Sequence, residues 1–93
     1  AYIQFALATL TVFFDRLGHL QPAATIAGFA LNPFTTSASS QFSTAIDHLR
    51  DALGDQSYES LAHKGKTMTT AAMVTYAYDQ IDQARAELKA VSE

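Results

Sequence analysis

The chain has 93 residues, 48% of them hydrophobic and only 16% charged, with a net charge of −3. That length allows one domain or part of a larger one, and the composition is too apolar for a disordered segment. No apolar run reaches the span of about 18 residues that a membrane crossing needs, no basic stripe is present to neutralise nucleic-acid phosphates, and the absence of cysteine excludes a disulfide framework or a thiolate metal site.

The dominant period is helical. Ile3, Ala6, Leu7, Leu10, Phe13, Phe14 and Leu17 recur at i, i+3, i+4, i+7, i+10, i+11 and i+14, which predicts a helix over 2–17. Tyr2, Phe5 and Val12 fall off that stripe, so the helix is apolar on more than one side and suits a place between neighbours. Gly18 is its expected stop. The segment has neither the basic start nor the cleavage site of a signal peptide. The chain opens without Met, directly in this pattern, which leads us to expect an excised piece of a larger protein, with processing as the alternative.

Pro22 suits the first turn of a second helix over 22–31, with Ala23, Ile26, Ala27, Ala30 and Leu31 as its buried face. Asn32-Pro33 ends it, because proline pushes the residue before it out of the helical region. The short link between the first two helices predicts an antiparallel hairpin. "NPFTTSASS", Asn32 to Ser40, is uncharged and rich in Ser and Thr; it reads as a loop anchored by Phe34.

A third helix over 40–53 follows from Phe42, Ala45, Ile46, Leu49, Ala52 and Leu53. Ser39 or Ser40 is placed to cap it, and Gly54 to close it. A fourth, short helix over 56–64 carries Tyr58, Leu61 and Ala62 inside. The fifth and longest, over 69–91, has the stripe Val74, Ala77, Tyr78, Ile81, Ala84, Leu88 and Val91. No stretch alternates as a strand would. The expected class is all-α: a single domain over 1–93, five helices in antiparallel hairpins, stacked like the end of an α-solenoid.

Charge is unevenly placed. Residues 1–40 hold only Asp15 and Arg16; the other thirteen charged side chains lie in 41–93. So apolar a first half must either form the centre of the core or abut other protein.

Gly65-Lys66-Thr67, inside "HKGKTMTT", matches the end of a phosphate-binding loop. Such a loop also needs a glycine five positions before Gly65, where Ser60 stands, and a preceding strand, which the helical "SYESLAHK" does not supply. The better reading is a turn between helices. Gly65 caps the fourth helix with Lys64 at the negative end of its dipole. Thr67 or Thr69 caps the fifth, and Met68 tucks between the two.

The stretch "ALGDQSYESLAHKGKTMTTAAMVTYA", Ala52 to Ala77, resembles a pattern near the C-terminal end of large bacterial regulators. Those proteins join a nucleotide-binding ATPase core to a long helical-repeat region, and are related to LuxR-type transcription regulators or fused to adenylyl-cyclase domains. The matching places are Leu53-Gly54, Tyr58, Gly65-Lys66, Met68 and Thr69. "AATIAGFA", Ala23 to Ala30, is similar to the upstream helix of the same region, where Gly28 would allow close helix packing. The resemblance covers most of residues 20–90. It implies a tetratricopeptide-like helical tail with no catalytic residue; a cytoplasmic home is the default expectation, and no cofactor is expected. The family's ATP site would lie upstream, and its DNA-binding helix-turn-helix, where present, beyond the last helix.

His19, His48 and His63 are not paired at metal-ligand spacing. Asp47, His48, Asp51 and Asp55 crowd one helix and its end, which is ordinary for a solvated face; Asp47 can pair with Arg50, and Asp82 with Arg85, at i+3. Asp79 and Asp82 read as surface charges rather than an acid–base pair, and no G-x-S-x-G elbow is present. Tyr76 and Tyr78 point about 200° apart on a helix. Tyr78 is expected in the core, and Tyr76 on the surface.

These features lead to the expectation of a non-catalytic interaction or regulatory module without metal, membrane or direct nucleic-acid binding. Its partner is expected to be another domain of the parent protein or a separate protein, with a two-fold homodimer for the isolated segment. Tyr2, Phe5, Val12, Phe34 and Tyr76 are the expected partner-facing residues, since aromatic side chains dominate interface anchors. The alternative is a small-ligand sensor with an apolar inter-helix pocket lined by Phe13, Phe29, Met73 and Tyr78.

Overall fold

The computed structural model describes residues 2–31 and 40–92, and side chains over 5–31 and 40–90. Five helices make up almost all of it: α1 (Tyr2–Leu17), α2 (Leu20–Ala30), α3 (Ser40–Leu53), α4 (Asp55–Lys66) and α5 (Thr70–Ser92). No strand occurs among the described residues. The fold is all-α, as the periodicity predicts. The 32–39 stretch, with Phe34 and the cap expected of Ser39, lies outside the described residues; Ser40 is the first residue of α3.

Glycines set two of the boundaries. Gly18 and Gly54 have φ of +83° and +86°, where side chains are strained, and they end α1 and α3. The Gly54 N–H donates to the Arg50 carbonyl at 2.9 Å, and the Gly54 carbonyl accepts from the Tyr58 N–H at 2.9 Å, so one residue closes α3 and opens α4. α2 starts two residues ahead of Pro22, because the His19 carbonyl already accepts from the Ala23 N–H at 3.2 Å. Proline then sits in the first turn, where its missing N–H costs nothing.

The centre of the molecule is α2. Ala23, Ala24, Thr25, Ile26, Ala27, Gly28 and Ala30 are all buried, and the helix packs against each of the other four. Only small side chains and one isoleucine face outward over those seven positions, so neighbours approach from every side. In a repeat array each helix packs chiefly on its sequence neighbours; here the elements surround one helix instead. Leu31, expected inside, is 44% exposed, because α2 has ended and its chain has turned extended.

The α2–α4 contact is backbone to backbone at two points. A Cβ on Gly28 would overlap the Ala62 carbonyl, and one on Gly65 would overlap the Thr25 carbonyl. Going up α2 from Thr25 to Gly28 means going down α4 from Gly65 to Ala62, so the two helices cross antiparallel. The role expected of Gly28 is met. Gly65 is not a cap: α4 runs through it to Lys66, and the residue is buried against α2. The amides of Gly65-Lys66-Thr67 therefore belong to a helix end and form no phosphate cradle; the Thr67 N–H donates to the His63 carbonyl. Thr69 caps α5, its hydroxyl accepting from the Ala72 N–H at 3.1 Å. Met68 packs against the core between the two helices.

Phe14, Ile26, Phe42, Leu49, Tyr58 and Met73 form the middle of the core, each fully or almost fully buried. Each contributes about 1.5–3 kcal/mol by leaving water. The buried face of α1 is rotated from the predicted stripe: Leu7, Ala8, Thr11 and Phe14 point inward, while Ala6 and Phe13 are exposed. Thr11 tolerates the core because its hydroxyl donates to the Leu7 carbonyl at 3.0 Å, leaving no unpaired polar group. The face of α5 is rotated as well. Met73, Ala77 and Ala84 are buried and Tyr76 is packed against the core, whereas Tyr78 is 66% exposed. The two tyrosines have exchanged their expected places.

Candidate functional site: an apolar groove between the first and last helices

The rotation of α1 and α5 leaves apolar side chains facing each other near the surface. Ala6, Leu7 and Leu10 form one wall of a groove, and Val74, Ala77, Tyr78 and Ile81 form the other, enclosing about 260 Å³. Both walls follow from helical spacing. Residues 6 and 10 on α1, and 74, 78 and 81 on α5, lie three or four apart and share a side. No charged residue lines it. The Tyr78 hydroxyl is the polar group of the lining side chains, at the exposed lip.

Two histidine–carboxylate contacts brace the helices that make the groove. His19 Nε2 lies 2.8 Å from Glu87 Oε2, fastening the distal part of α5 to the α1–α2 corner. The His19 ring also stacks on Phe14 with centroids 5.9 Å apart. On the other side of α1, His48 Nδ1 meets Asp15 Oδ1 at 2.5 Å and ties α3 to α1. His48 is thereby committed to a carboxylate on another helix. Among the described residues, no group of His, Cys, Asp or Glu is arranged to hold a metal ion.

At the far end of the molecule, Arg50 does not pair with Asp47. It reaches Glu59 at 2.5 Å and Asp55 at 3.7 Å, and its guanidinium lies 4.5 Å from the centre of the Tyr58 ring. The hydrogen bond to Glu59 raises the guanidinium pKa. This cluster pins the α3–α4 corner around Gly54. Burial pushes the Tyr58 phenol pKa up, opposed by the Arg50 charge. The Tyr58 hydroxyl is buried and has no hydrogen-bond partner. A carboxylate–arginine–tyrosine corner of this kind holds helices together; none of its groups faces the α1–α5 groove.

The residues picked from the sequence scatter. Tyr2 and Phe34 lie outside the described side chains. Phe5 is half-buried, and Val12 and Tyr76 are packed against the core. Of the four residues expected to line a pocket, Met73 is fully buried, Phe29 packs against the core and Phe13 is half-exposed. Tyr78 alone of the four lines the groove. Leu10, Val74 and Ile81 were all visible as apolar stripe members. What the stripe did not reveal was that its edge, not its centre, faces out.

Comparison with family models, curated proteins and solved structures finds no match.

Proposed function

We propose that the chain is a helical interaction module in which the α1–α5 groove receives an amphipathic helix, and that it serves a bacterial signalling ATPase or transcription regulator. The observation that carries the reading is an uncharged groove whose walls are helical stripes. Recognition of this kind uses apolar anchors at i, i+3, i+4 and i+7 laid between two helices. The bound helix would transmit its position to α1 and α5, and through α2 to the rest of the bundle. The placement in a regulator comes from the resemblance over Ala52 to Ala77.

Photo-crosslinking from benzoylphenylalanine at position 78 tests this reading. A crosslink to a polypeptide segment with apolar residues at helical spacing, lost in Ala6→Glu, is the expected result. Ala6 is exposed, so the added carboxylate charges the groove without disturbing the core. A crosslink that is insensitive to Ala6→Glu would sink the reading, as would none at all.

The alternative is a small-ligand sensor using the same groove. About 260 Å³ falls below the range of about 300–1,000 Å³ usual for small-molecule sites. Thermal shift across medium-chain fatty acids, nucleotides and flavins distinguishes the two. A saturable rise in Tm abolished by Ala6→Glu favours the sensor.

A further inference from the structure

α5 carries a second pattern beside the groove. Tyr78, Asp82, Arg85 and Lys89 occur at i, i+4, i+7 and i+11 and make one continuous stripe, and all four are exposed. Among the described residues the ion pairs are those of His19, His48 and Arg50; none involves Asp82, Arg85 or Lys89. The stripe reads acid then base along the helix, with the aromatic ring at one end and the second base at the other.

That order is self-complementary when two copies run antiparallel. Two copies of α5 laid antiparallel, with a two-fold axis midway between positions 82 and 85, bring each Asp82 against Arg85 of the second copy. The same axis brings each Tyr78 against Lys89, because both stand four residues outside the central pair. The Lys89 stem can then lie on the phenol ring with its ammonium near the π-face. A parallel pairing would instead set Asp82 against Asp82 and Arg85 against Arg85, which like-charge repulsion disfavours.

We infer that the helix covering the edge of the α1–α5 groove is α5 of a second copy of this chain, paired antiparallel through Tyr78, Asp82, Arg85 and Lys89. This rests on the groove reading and names its occupant. The interface is isologous, the same patch on both copies, as two-fold dimers require. The two Asp82–Arg85 pairs lie at its centre and fix the register and direction of the helices, and Tyr78 flanks them beside the groove wall at Ile81.

Sedimentation equilibrium on the wild-type chain and two charge-swap variants tests the inference. The wild type should move from the 10.1 kDa chain mass to twice that value as concentration rises from about 1 µM to about 1 mM. Asp82→Lys alone, or Arg85→Glu alone, places like charges together at both symmetric contacts and should weaken the dimer by about tenfold or more. Mixing the two variants restores both opposite-charge contacts, so the heterodimer should regain wild-type affinity. All four residues are on the surface, so circular dichroism should show unchanged helix content. A wild type that stays monomeric throughout would overturn the inference, and so would single swaps without effect or a mixture that fails to recover. If the wild type is monomeric while the position-78 crosslink still captures another apolar helix, the second copy is excluded and the groove reading stands.

Discussion

Tyr58 is the residue whose surroundings are least balanced. Its ring is buried in the core and covered by the Arg50 guanidinium, yet its hydroxyl has no partner. A buried unpaired hydroxyl costs about 1–3 kcal/mol relative to water. Tyr58→Phe keeps the ring and the cation–π contact and removes that cost. It should raise stability by about 1 kcal/mol in urea unfolding; a loss of similar size would mean that the hydroxyl has a partner in solution. The same residue sets a pH dependence. Burial raises the phenol pKa in the fold above the value of 10.0 it starts from. The unfolded chain therefore ionises first as pH rises, and stability present below pH 10 is lost as pH climbs through the raised value. Tyr58→Phe should flatten that alkaline loss, measured as Cm against pH above 9.

Gly28 and Gly65 are the other residues on which the fold turns. Each would place a Cβ onto a backbone carbonyl of the facing helix, which cannot move aside as a side chain would. Gly28→Ala or Gly65→Ala should cost about 3 kcal/mol or more. Gly18→Ala, where nothing crowds the Cβ but φ is positive, should cost about 1 kcal/mol. Thermal unfolding of the three variants side by side checks the order. Equal losses would contradict the close α2–α4 crossing.

At the scale of elements, some helix boundaries were legible in the sequence, and the helix rotations were not. The ends of α1 and α3 follow from Gly18 and Gly54, and the start of α5 from Thr69, because these depend on local backbone chemistry. Rotation depends on what a helix packs against. Thr11 reads as polar, but its hydroxyl can satisfy itself on the Leu7 carbonyl, so it enters the core in place of Leu10. On α5, Tyr76 and Tyr78 weigh the same as apolar surface, and only the position of α2 decides between them. Gly65 shows the same ambiguity: a glycine that ends a helix and a glycine that lets another helix approach are identical in sequence. The braces His19–Glu87 and His48–Asp15 join residues far apart in the chain, which no local spacing reveals. The Arg50 cluster is more exposed; Arg50→Ala should cost less than about 1 kcal/mol, and the loss should shrink in high salt.

For the whole molecule, α2 is the interior, and the apolar groove lies between α1 and α5. The sparsely charged first 40 residues foreshadowed an apolar centre. They did not show that the centre would be α2, whose alanines and glycine let four helices close around it. The candidate site was legible only in part: its wall residues were seen as stripe members, but the groove exists because α1 and α5 do not fully close on each other. α1 and α5 both pack on α2, and α2 crosses α4 at backbone contact.

The most direct test is a dilution series of ¹H–¹⁵N spectra, which maps the contact residue by residue. Concentration-dependent shifts confined to residues 6–13 of α1 and 74–89 of α5 are expected. Spectra that do not change with concentration, or shifts centred on the α3–α4 corner around Arg50 and Tyr58, would contradict the α1–α5 face as the contact between two copies.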